Sequence, residues 1–417
     1  MISPISAILA SEYNSAMDAV SWSTRSLIKA APGHRLMAVD FANIEGRVLA
    51  MLAEESWKLQ AFRDYDTLTG EVDEKGKPKR LGPDLYLVAA GKILGKKPEA
   101  VTKPERQNVG KPAELGLGFG GGVGAILTMM RNGSVIPWMN KDGPAPKPVT
   151  LDDIAASVKP AVSSVIWSEA QAQYGRGAYE SAMENMEQRR LERLIAELQG
   201  DEDLPDDDDE TQRLAEEIAK ANRLGLSVDH WTALRVVVDL WRQSNPSIAY
   251  FWRTLEDAAL AAIRNPGRRV SAGPHIRYLM HGDILYCRLP SGRPLAYPYA
   301  RILKPKDEKS NWKGERISYM RRVNGRKNQW IFKDTYGGSL AENVTQATAR
   351  DILRDALLRL RKAGYRVVLH VHDEIVCEVP NGFGSLSEMS EIMRTIPRWA
   401  EGLPVATDGW VGGRYRK

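Results

Sequence analysis

Apolar and polar residues alternate near the two ends of the chain and follow a helical period through its middle. The segment "RLMAV" at residues 35–39 is typical of a short buried strand, and "IEGRVLAMLAEE" after it has helical spacing. Helical spacing continues through residues 84–130 and through most of residues 151–264. Short alternating segments return over residues 269–330, where "ILYCRLPSGRPLAYP" reads as two strands around a Ser-Gly turn. This pattern predicts an α+β protein.

A long helix followed by a hairpin is predicted close to the C-terminus. The helix "ENVTQATARDILRDALLRLRKAG" ends in Gly364, a common residue just after a helix. It leads into "HVHDEIVCEV", where strand-like alternation is interrupted at His372, Asp373 and Glu374. The link contains none of the Gly, Asn-Gly or Pro residues that tight hairpin turns normally require. Because such violations of local rules tend to fall at functional sites, this tip is a candidate site.

Length and composition indicate a globular protein rather than a disordered or membrane-spanning one. The chain has 417 residues, enough for two or three subdomains, with 43% hydrophobic and 27% charged residues. It contains no run of eighteen apolar residues, and its N-terminal segment lacks the basic start of a signal peptide. Only two cysteines are present, which argues against a disulfide framework. These features predict a cytoplasmic protein.

Positive charge is concentrated in one segment of a chain whose net charge is only +5. Residues 301–333 contain eleven Lys or Arg against three acids, interleaved with Trp312, Tyr319 and Trp330. Basic residues with spaced aromatic rings suit a polyanion, because Lys and Arg neutralise phosphates and displace counterions. The segment therefore predicts a nucleic-acid contact, and a solvated basic hairpin is the alternative.

Two aspartates occupy similar places in the predicted elements. Asp40 follows the strand "RLMAV" and precedes a helix, and Asp373 lies at the hairpin tip. Carboxylates on neighbouring strand ends can bracket two divalent ions about 3.5–4 Å apart, the arrangement used for in-line phosphoryl transfer. Mg²⁺ suits such a site because it prefers oxygen ligands and keeps several waters.

The segment "RQNVGKPAELGLGFGGG", residues 106–122, carries a third candidate feature. On a helix, Lys111, Leu115 and Phe119 share one face because they are spaced at i, i+4 and i+8. A cation near an apolar group and an aromatic ring can hold a triphosphate while its base is packed. No Gly-Lys-Ser/Thr follows the glycines, so they do not indicate a Walker site but a weakened helix end that can move.

Three segments in this order carry a family resemblance. "VDFANIEGRVLA", "RQNVGKPAELGLGFGGG" and "HVHDEIVCEVP" resemble motifs A, B and C of the family A DNA polymerases, the relatives of bacterial DNA polymerase I. "LWRQSNPSIAYFW", "LPSGRPLAY" and "ENVTQATARDIL" resemble a branch that is common in bacteriophages. The resemblance covers roughly residues 20–415.

The resemblance implies a right-hand α+β fold and a domain organisation. A palm of antiparallel sheet and helices would comprise residues 1–83 with motif A and residues 265–417 with motif C. Helical fingers would comprise residues 84–264, with motif B and a helical insertion. Only 39 residues precede Asp40, so thumb and exonuclease domains are expected to be absent and proofreading with them. Duplex binding would then come from residues 151–245 or from a partner subunit.

The resemblance also implies roles in template-directed DNA synthesis. Asp40 and Asp373 would ligate two Mg²⁺ ions together with the carbonyl of Phe41. Lys111 would bind the phosphates of the incoming dNTP and could protonate the pyrophosphate. Phe119 occupies the place of a Tyr that packs near the templating pair. Glu45 would be the steric gate that excludes a ribose 2′-hydroxyl, the alternative being an ordinary acid near a helix start.

Further residues are implied to contact the primer–template DNA. Their implied contacts are the primer terminus (His372, Glu374), the minor-groove acceptors common to all base pairs (Gln346, Asn343), a phosphate (Arg350) and the primer–template minor groove (Arg25).

Two positions in motif B depart from the family. The family usually has Arg four residues before the motif B Lys, but Gln107 stands there and Arg106 lies five residues before it. Arg106 would need a helix rotation of about 100°, or a local distortion, to reach the same phosphate. Leu115 stands where an aromatic residue is common. Weaker nucleotide affinity is one expected consequence.

Other classes of protein share some of these features. A single-subunit RNA polymerase has a similar palm, although Glu45 and the acid after Asp373 favour DNA synthesis. A non-catalytic, DNA-binding subunit would not need Asp40, Lys111 and Asp373. A metallohydrolase built on "HVHDE" would leave motifs A and B unexplained.

Overall fold

The computed structural model describes residues 27–73, 76–132, 150–173, 227–304, 314–322 and 330–415. Two compact units are present, one formed by residues 1–48 with 346–417 and the other by residues 49–345. This grouping differs from the division at residues 83 and 264 drawn from the sequence, which stays a prediction. Arg25 and Trp312 lie outside the described residues.

The strands pair into four sheets, and every described pairing between them is antiparallel. They are β1 (His34–Phe41), β2 (Leu68–Val72), β3 (Pro78–Arg80), β4 (Arg269–Ala272), β5 (Ile276–His281), β6 (Ile284–Arg288), β7 (Pro294–Pro298), β8 (Arg301–Leu303), β9 (Arg316–Arg322), β10 (Trp330–Thr335), β11 (Val367–Val371), β12 (Glu374–Pro380) and β13 (Thr407–Gly412).

The described helices are α1 (Ile44–Leu52), α2 (Ser56–Asp66), α3 (Leu85–Leu94), α4 (Lys103–Glu105), α5 (Lys111–Leu117), α6 (Val123–Asn132), α7 (Leu151–Val158), α8 (Ser164–Gln173), α9 (Val228–Ser244), α10 (Pro246–Arg264), α11 (Gly337–Lys362) and α12 (Leu386–Arg394). A π-helical turn spans Arg106–Gly110, and short 3₁₀ turns span Pro98–Ala100 and Arg398–Ala400. The α+β class is confirmed by these helices and antiparallel sheets. None of the described helices is long and apolar enough to span a membrane.

The first unit is built on a four-stranded sheet in the order β11-β12-β1-β13. β1 is therefore hydrogen-bonded on both sides, and its residues from Leu36 to Val39 are buried. On one face, Leu36 and Ala38 pack with Val376 and Tyr415 in an apolar cluster. α12 packs against β1 and β13. Burial on both faces explains why "RLMAV" is almost continuously apolar.

The C-terminal hairpin predicted from "HVHDEIVCEV" is confirmed. β11 ends at Val371 and β12 begins at Glu374, so the tip consists of His372 and Asp373. His372 has a φ of +53°, in the left-handed region that a non-glycine residue rarely adopts. The tip thus obtains its turn geometry from a strained histidine where a glycine would be usual, at a cost of about 1–3 kcal/mol.

The second unit contains most of the described helices, together with the sheets β2-β3, β4-β5-β6-β7 and β8-β9-β10. α9 buries Trp231, Leu234 and Trp241, and the ring of Trp241 stacks on Trp252 of α10 with 6.2 Å between ring centres. The side chain of Glu55 caps the start of α10, because one carboxylate oxygen accepts hydrogen bonds from the amides of Ser247 (3.0 Å) and Ile248 (3.2 Å). These contacts join α9 and α10 to the segment before α2.

Candidate active site

The aspartates singled out from the sequence lie on adjacent strand ends of the first unit. Asp40 is the penultimate residue of β1, directly opposite Glu374 at the start of β12. The Phe41 amide donates a hydrogen bond to the Asp373 carbonyl at 3.3 Å, which extends the strand pairing up to the hairpin tip. Both aspartates are partly exposed. The backbone therefore brings together two carboxylate-bearing residues that are separated by more than 300 residues in sequence.

A third acid borders Asp40 from the other side, and sequence reasoning missed it. Asp408 of β13 is opposite Asp40, so the two side chains project from the same face of the sheet. Asp408 is exposed, and its carboxylate accepts the Gly409 amide at 2.8 Å. The C-terminal "TDGWVGG" segment gives no signal on its own, because only the pairing of β13 with β1 places this acid near Asp40.

Glu374 has a structural role in this unit. It is only 3% exposed, and its carboxylate accepts a hydrogen bond from the Tyr415 hydroxyl at 2.6 Å. Tyr415 belongs to the apolar cluster under the sheet. A direct contact of Glu374 with DNA, implied by the resemblance, is therefore not supported by its position, whereas the neighbouring His372 is exposed at the tip.

The turn between β1 and α1 is held by a buried arginine that sequence reasoning also missed. Arg47 is 2% exposed, and its guanidinium donates to the carbonyls of Ala42 (2.7 Å) and Pro404 (3.4 Å). It thereby fixes the chain just after Asp40 and Phe41. Glu45, the candidate steric gate, lies in the first turn of α1 and is exposed.

The α11 residues assigned to DNA contacts differ in how available they are. Gln346 and Arg350 are exposed and one helical turn apart, and the Arg350 guanidinium lies 3.4 Å from ring nitrogens of His370 in β11. Asn343 is part of the second unit, where its amide donates to the Tyr297 hydroxyl at 3.3 Å. The Asn343 side chain is therefore engaged within the protein.

Motif B is a broken helix in the second unit. α4 continues directly into the π-helical turn Arg106–Gly110, where the Lys111 amide donates to the Arg106 carbonyl. α5 then begins at Lys111 and ends at Leu117. Gly120 has a φ of +75°, so the chain leaves the helix before it. The prediction that Phe119 lies on the helical face of Lys111 and Leu115 is wrong, because Phe119 is in the turn after α5.

The π-helical turn supplies the local distortion that Arg106 was expected to need. Five residues of a regular α-helix rotate a side chain by about 500°, whereas four residues rotate it by about 400°. A hydrogen bond from residue i+5 to residue i accommodates the additional residue in a single wider turn. Arg106 is therefore related to Lys111 much as a residue four positions earlier would be in a regular helix.

Arg106 has a partner on α3. Its Nε donates to Asp84 Oδ2 at 2.8 Å, and its guanidinium lies 5.1 Å from the ring centre of Tyr86. The other oxygen of Asp84 caps α3 by accepting the amides of Tyr86 (2.9 Å) and Leu87 (3.2 Å). Arg106 is thus oriented by a residue that is itself fixed, while Lys111 remains partly exposed and Leu115 is 44% exposed.

A buried ion pair connects α5 to α2. Lys58 of α2 and Glu114 have side chains that are 3% and 6% exposed, and their charged atoms are 2.8 Å apart. The other oxygen of Glu114 accepts the indole N–H of Trp241 at 2.8 Å. Lys58 also lies 5.1 Å from the ring centre of Trp241. The ion pair links α2, α5 and α9. It could not be predicted from a sequence pattern, because its partners lie in distant segments of the chain.

A cavity of about 550 Å³ follows the end of α5 within the second unit. Its lining is formed by residues of the turn after α5, of α9 and α10, and of the start of α11 (Gly120, Arg242, Gln243, Pro246, Ala249, Tyr250, Trp252, Arg253, Glu256, Tyr336, Gly337, Gly338). Burial, together with the nearby Arg235, lowers the pKa of Arg242, which donates to the Gly121 carbonyl at 3.1 Å. Aromatic rings and guanidinium groups at its wall suit a planar, electron-rich ligand.

Whether a metal ion fits the first unit depends on the donor atoms that its side chains and backbone offer. Within the described ranges, no group of three or more His, Cys, Asp and Glu side chains is arranged to hold a metal ion. Two carboxylates beside a strand-end carbonyl are hard oxygen donors, and Mg²⁺ commonly takes only one or two protein carboxylates with waters and substrate phosphates as its other ligands. Asp40, Asp373 and the Phe41 carbonyl therefore fit that ion.

Comparison with known proteins identifies relatives of the chain. No protein-family model matches its sequence. It is 30% identical over 388 residues to the DNA polymerase of Bacillus phage SP02, a match that covers 92% of this chain and 42% of that protein. The chain thus spans less than half the length of this relative. Among solved structures, the polymerase domain of Pol1 from M. smegmatis, in complex with DNA primer-template and dNTP, matches with a TM-score of 0.44 and 15% identity, over 94% of this chain and 42% of that chain.

Proposed function

We infer that this chain, which is related to the family A DNA polymerases, adds deoxynucleotides to a primer 3′ end by copying a DNA template. The observation that carries the proposal is the Phe41–Asp373 backbone hydrogen bond, which joins the end of β1 to the hairpin tip. It supports a shared role for two aspartates that belong to different sequence motifs. The similarity to a phage DNA polymerase over most of the chain supports the reaction class.

Asp40, Asp373 and the Phe41 carbonyl would hold two Mg²⁺ ions in this proposal. Bound there, the metal would lower the pKa of the primer 3′-hydroxyl and neutralise the phosphates of the nucleotide. The protein's contribution is the rigid placement of its two carboxylates. β1 provides this rigidity because it is bonded to a strand on each side and Arg47 fixes the turn that follows it.

Motif B would supply the cations and the packing surface for the incoming nucleotide. Lys111 would contact its phosphates and could donate a proton to the departing pyrophosphate. Arg106 would add a second phosphate contact. This is supported by the π-helical turn, which directs the Arg106 side chain to the same side of the helix as Lys111. Leu115 and Phe119 would pack near the nucleotide base, and Glu45 would exclude the ribose 2′-hydroxyl.

DNA binding would use the exposed residues of the first unit. His372 at the tip and Gln346 and Arg350 on α11 are exposed, which supports contacts with the primer–template. Asn343 and Glu374 are engaged within the protein, so they are left out of this set. A partner subunit has no support from the comparisons and forms no part of the proposal.

Primer extension tests the proposal. We expect Mg²⁺-dependent incorporation of dNTPs by the wild type and a loss of roughly 100-fold or more in Asp373→Asn, because a metal stabilises the transition state by several kcal/mol. The matched control is Asp283→Asn, which changes an exposed aspartate in another two-residue hairpin tip, between β5 and β6. Equal activity of Asp373→Asn and wild type would contradict the proposal. If the wild-type protein binds DNA but does not extend the primer, the result would favour a non-catalytic, DNA-binding subunit. A preference for NTPs over dNTPs would favour a single-subunit RNA polymerase.

A further inference from the structure

The three-stranded sheet β8-β9-β10 carries an exposed aromatic face in the second unit. Residues directly opposite each other in an antiparallel pair project to the same side of the sheet. Trp330 is opposite Arg322, and Phe332 is opposite Met320. Arg301 of β8 projects to this side as well, because it is opposite Ser318, which shares a face with Met320 and Arg322. We call the set Arg301, Met320, Arg322, Trp330 and Phe332 the aromatic face.

The opposite side of the same sheet is packed near β8 and β9. Ile317 is fully buried there, and the ring of Tyr319 meets Tyr297 of β7 edge-on with 5.0 Å between ring centres. By contrast, Trp330 is 56% exposed and Phe332 is 42% exposed. A sheet that anchors one side in the protein therefore presents two large rings on the other.

The charge on this side of the sheet is mainly positive, because its acid Asp334, opposite Ser318, is paired with Arg316, with 4.0 Å between their charged atoms. The Arg301 guanidinium lies 3.5 Å from the ring centre of Phe332, a cation–π contact that orders both side chains. Among the described residues, neither Arg301 nor Arg322 forms an ion pair with a carboxylate. The nearby acid Glu315 is already paired with Arg264 and Lys304. An anionic partner would consequently meet uncompensated arginines beside the rings.

The spacing of the rings favours an extended strand of bases. Trp330 and Phe332 are two residues apart on one strand, so their attachment points are separated by about 7 Å. This is about twice the 3.4 Å separation of bases stacked in a duplex. Bases within a duplex also have their faces covered by their neighbours, whereas the bases of a single strand can stack on protein rings.

We propose that the aromatic face binds single-stranded DNA, with bases stacked on Trp330 and Phe332 and phosphates near Arg301 and Arg322. The surface is formed by β8, β9 and β10 alone and does not depend on the carboxylates of the first unit. It therefore goes beyond the proposed reaction, which requires a paired primer end. In a template-copying enzyme the bound strand would be template that has not yet been copied.

Fluorescence anisotropy of the whole chain with labelled dT12 in EDTA tests the proposal without any dependence on catalysis. We expect the double variant Trp330→Ala, Phe332→Ala to bind dT12 roughly 30-fold more weakly or worse, about five-fold or more for each ring. The matched control is Ile331→Ala, which removes a side chain of similar exposure from the other side of the same strand. Thermal unfolding of each variant verifies that the fold is retained.

Salt dependence and a duplex probe separate stacking from general attraction to DNA. The double variant Arg301→Gln, Arg322→Gln is expected to reduce the slope of log K against log salt by about 1.4, since each contact of a single strand contributes about 0.7. A blunt duplex should lose less affinity than dT12 when the rings are removed. Affinity for dT12 within two-fold of wild type in the ring variant would overturn the proposal. Equal losses of affinity for dT12 and for the duplex in the ring variant would also overturn it. The same holds if removing the rings changes only the oligomeric state of the protein.

Discussion

Exchanging Arg106 and Gln107 tests whether the π-helical turn sets the direction of the motif B arginine. The double variant Arg106→Gln, Gln107→Arg moves the guanidinium to the position four residues before Lys111, where the family that motif B resembles usually has an arginine. In a regular α-helix this exchange would turn the guanidinium towards the proposed phosphate contact. In the structure, however, the turn that begins at Arg106 already accommodates one additional residue. The exchanged arginine should therefore be misdirected by about 100°.

The expected magnitude follows from the contacts of Arg106. A hydrogen bond to a charged group contributes about 1.5–3 kcal/mol, so loss of the proposed contact with a nucleotide phosphate should lower kcat/KM for dNTP about 10- to 150-fold. The ion pair with Asp84 is partly exposed and contributes at most about 1 kcal/mol to folding. Loss of activity should consequently exceed any effect on stability.

Steady-state primer extension over a range of dNTP concentrations measures this effect. Gln107→Ala is the control and should resemble the wild type, whereas Arg106→Ala should be as impaired as the exchanged variant. If the exchanged variant matches or exceeds the wild type, the π-helical turn does not orient Arg106 and the reasoning is refuted. Circular dichroism would show whether each variant keeps its helical content.

Other predictions concern buried groups of both units. Glu114→Ala should lower the free energy of unfolding in urea by about 3–5 kcal/mol because it strands the buried Lys58 charge, whereas Lys58→Met with Glu114→Gln should cost much less. Burial raises the pKa of Glu55 above 4.5, so its contribution to stability is present below pH 4.5 and is lost as pH rises through the folded pKa. Relative to the wild type, Glu55→Gln should therefore become more stable from pH 4.5 to pH 8. A difference in the free energy of unfolding that stays constant over this range would contradict the reasoning. Burial raises the pKa of Cys377 from 9.0 to about 12, so Ellman's reagent at pH 8 should label it about 1,000-fold more slowly in the folded protein than in urea.

The C-terminal hairpin was predicted correctly from the sequence for a physical reason, whereas the roles of Asp40 and Asp373 stay a prediction. Apolar alternation identifies strands that are buried on one face, and a turn without glycine indicates a candidate functional site. The strained φ of His372 is the structural counterpart of that missing glycine. Which strand would neighbour β1 on its other side could not be inferred, so Asp408 was missed.

Motif B shows where periodicity stops being informative. A helix extended over all of "RQNVGKPAELGLGFGGG" places Phe119 on the face of Lys111, but the real helix ends at Leu117 because the glycines that follow favour a turn. The π-helical turn has no signature in the spacing of apolar residues. Burial of Glu114 is equally hidden, since it depends on Lys58 in α2 and Trp241 in α9.

The central position of β1 also determines when the sheet can form during synthesis. β12 and β13, the strands that bond to the two edges of β1, leave the ribosome more than 300 residues after it. Contacts this distant in sequence close slowly, because chain entropy must be lost before they form. During this interval, the unpaired backbone N–H and C=O groups along both edges of β1 are open to pairing with other chains. Nascent protein should therefore depend on chaperones until β13 is made.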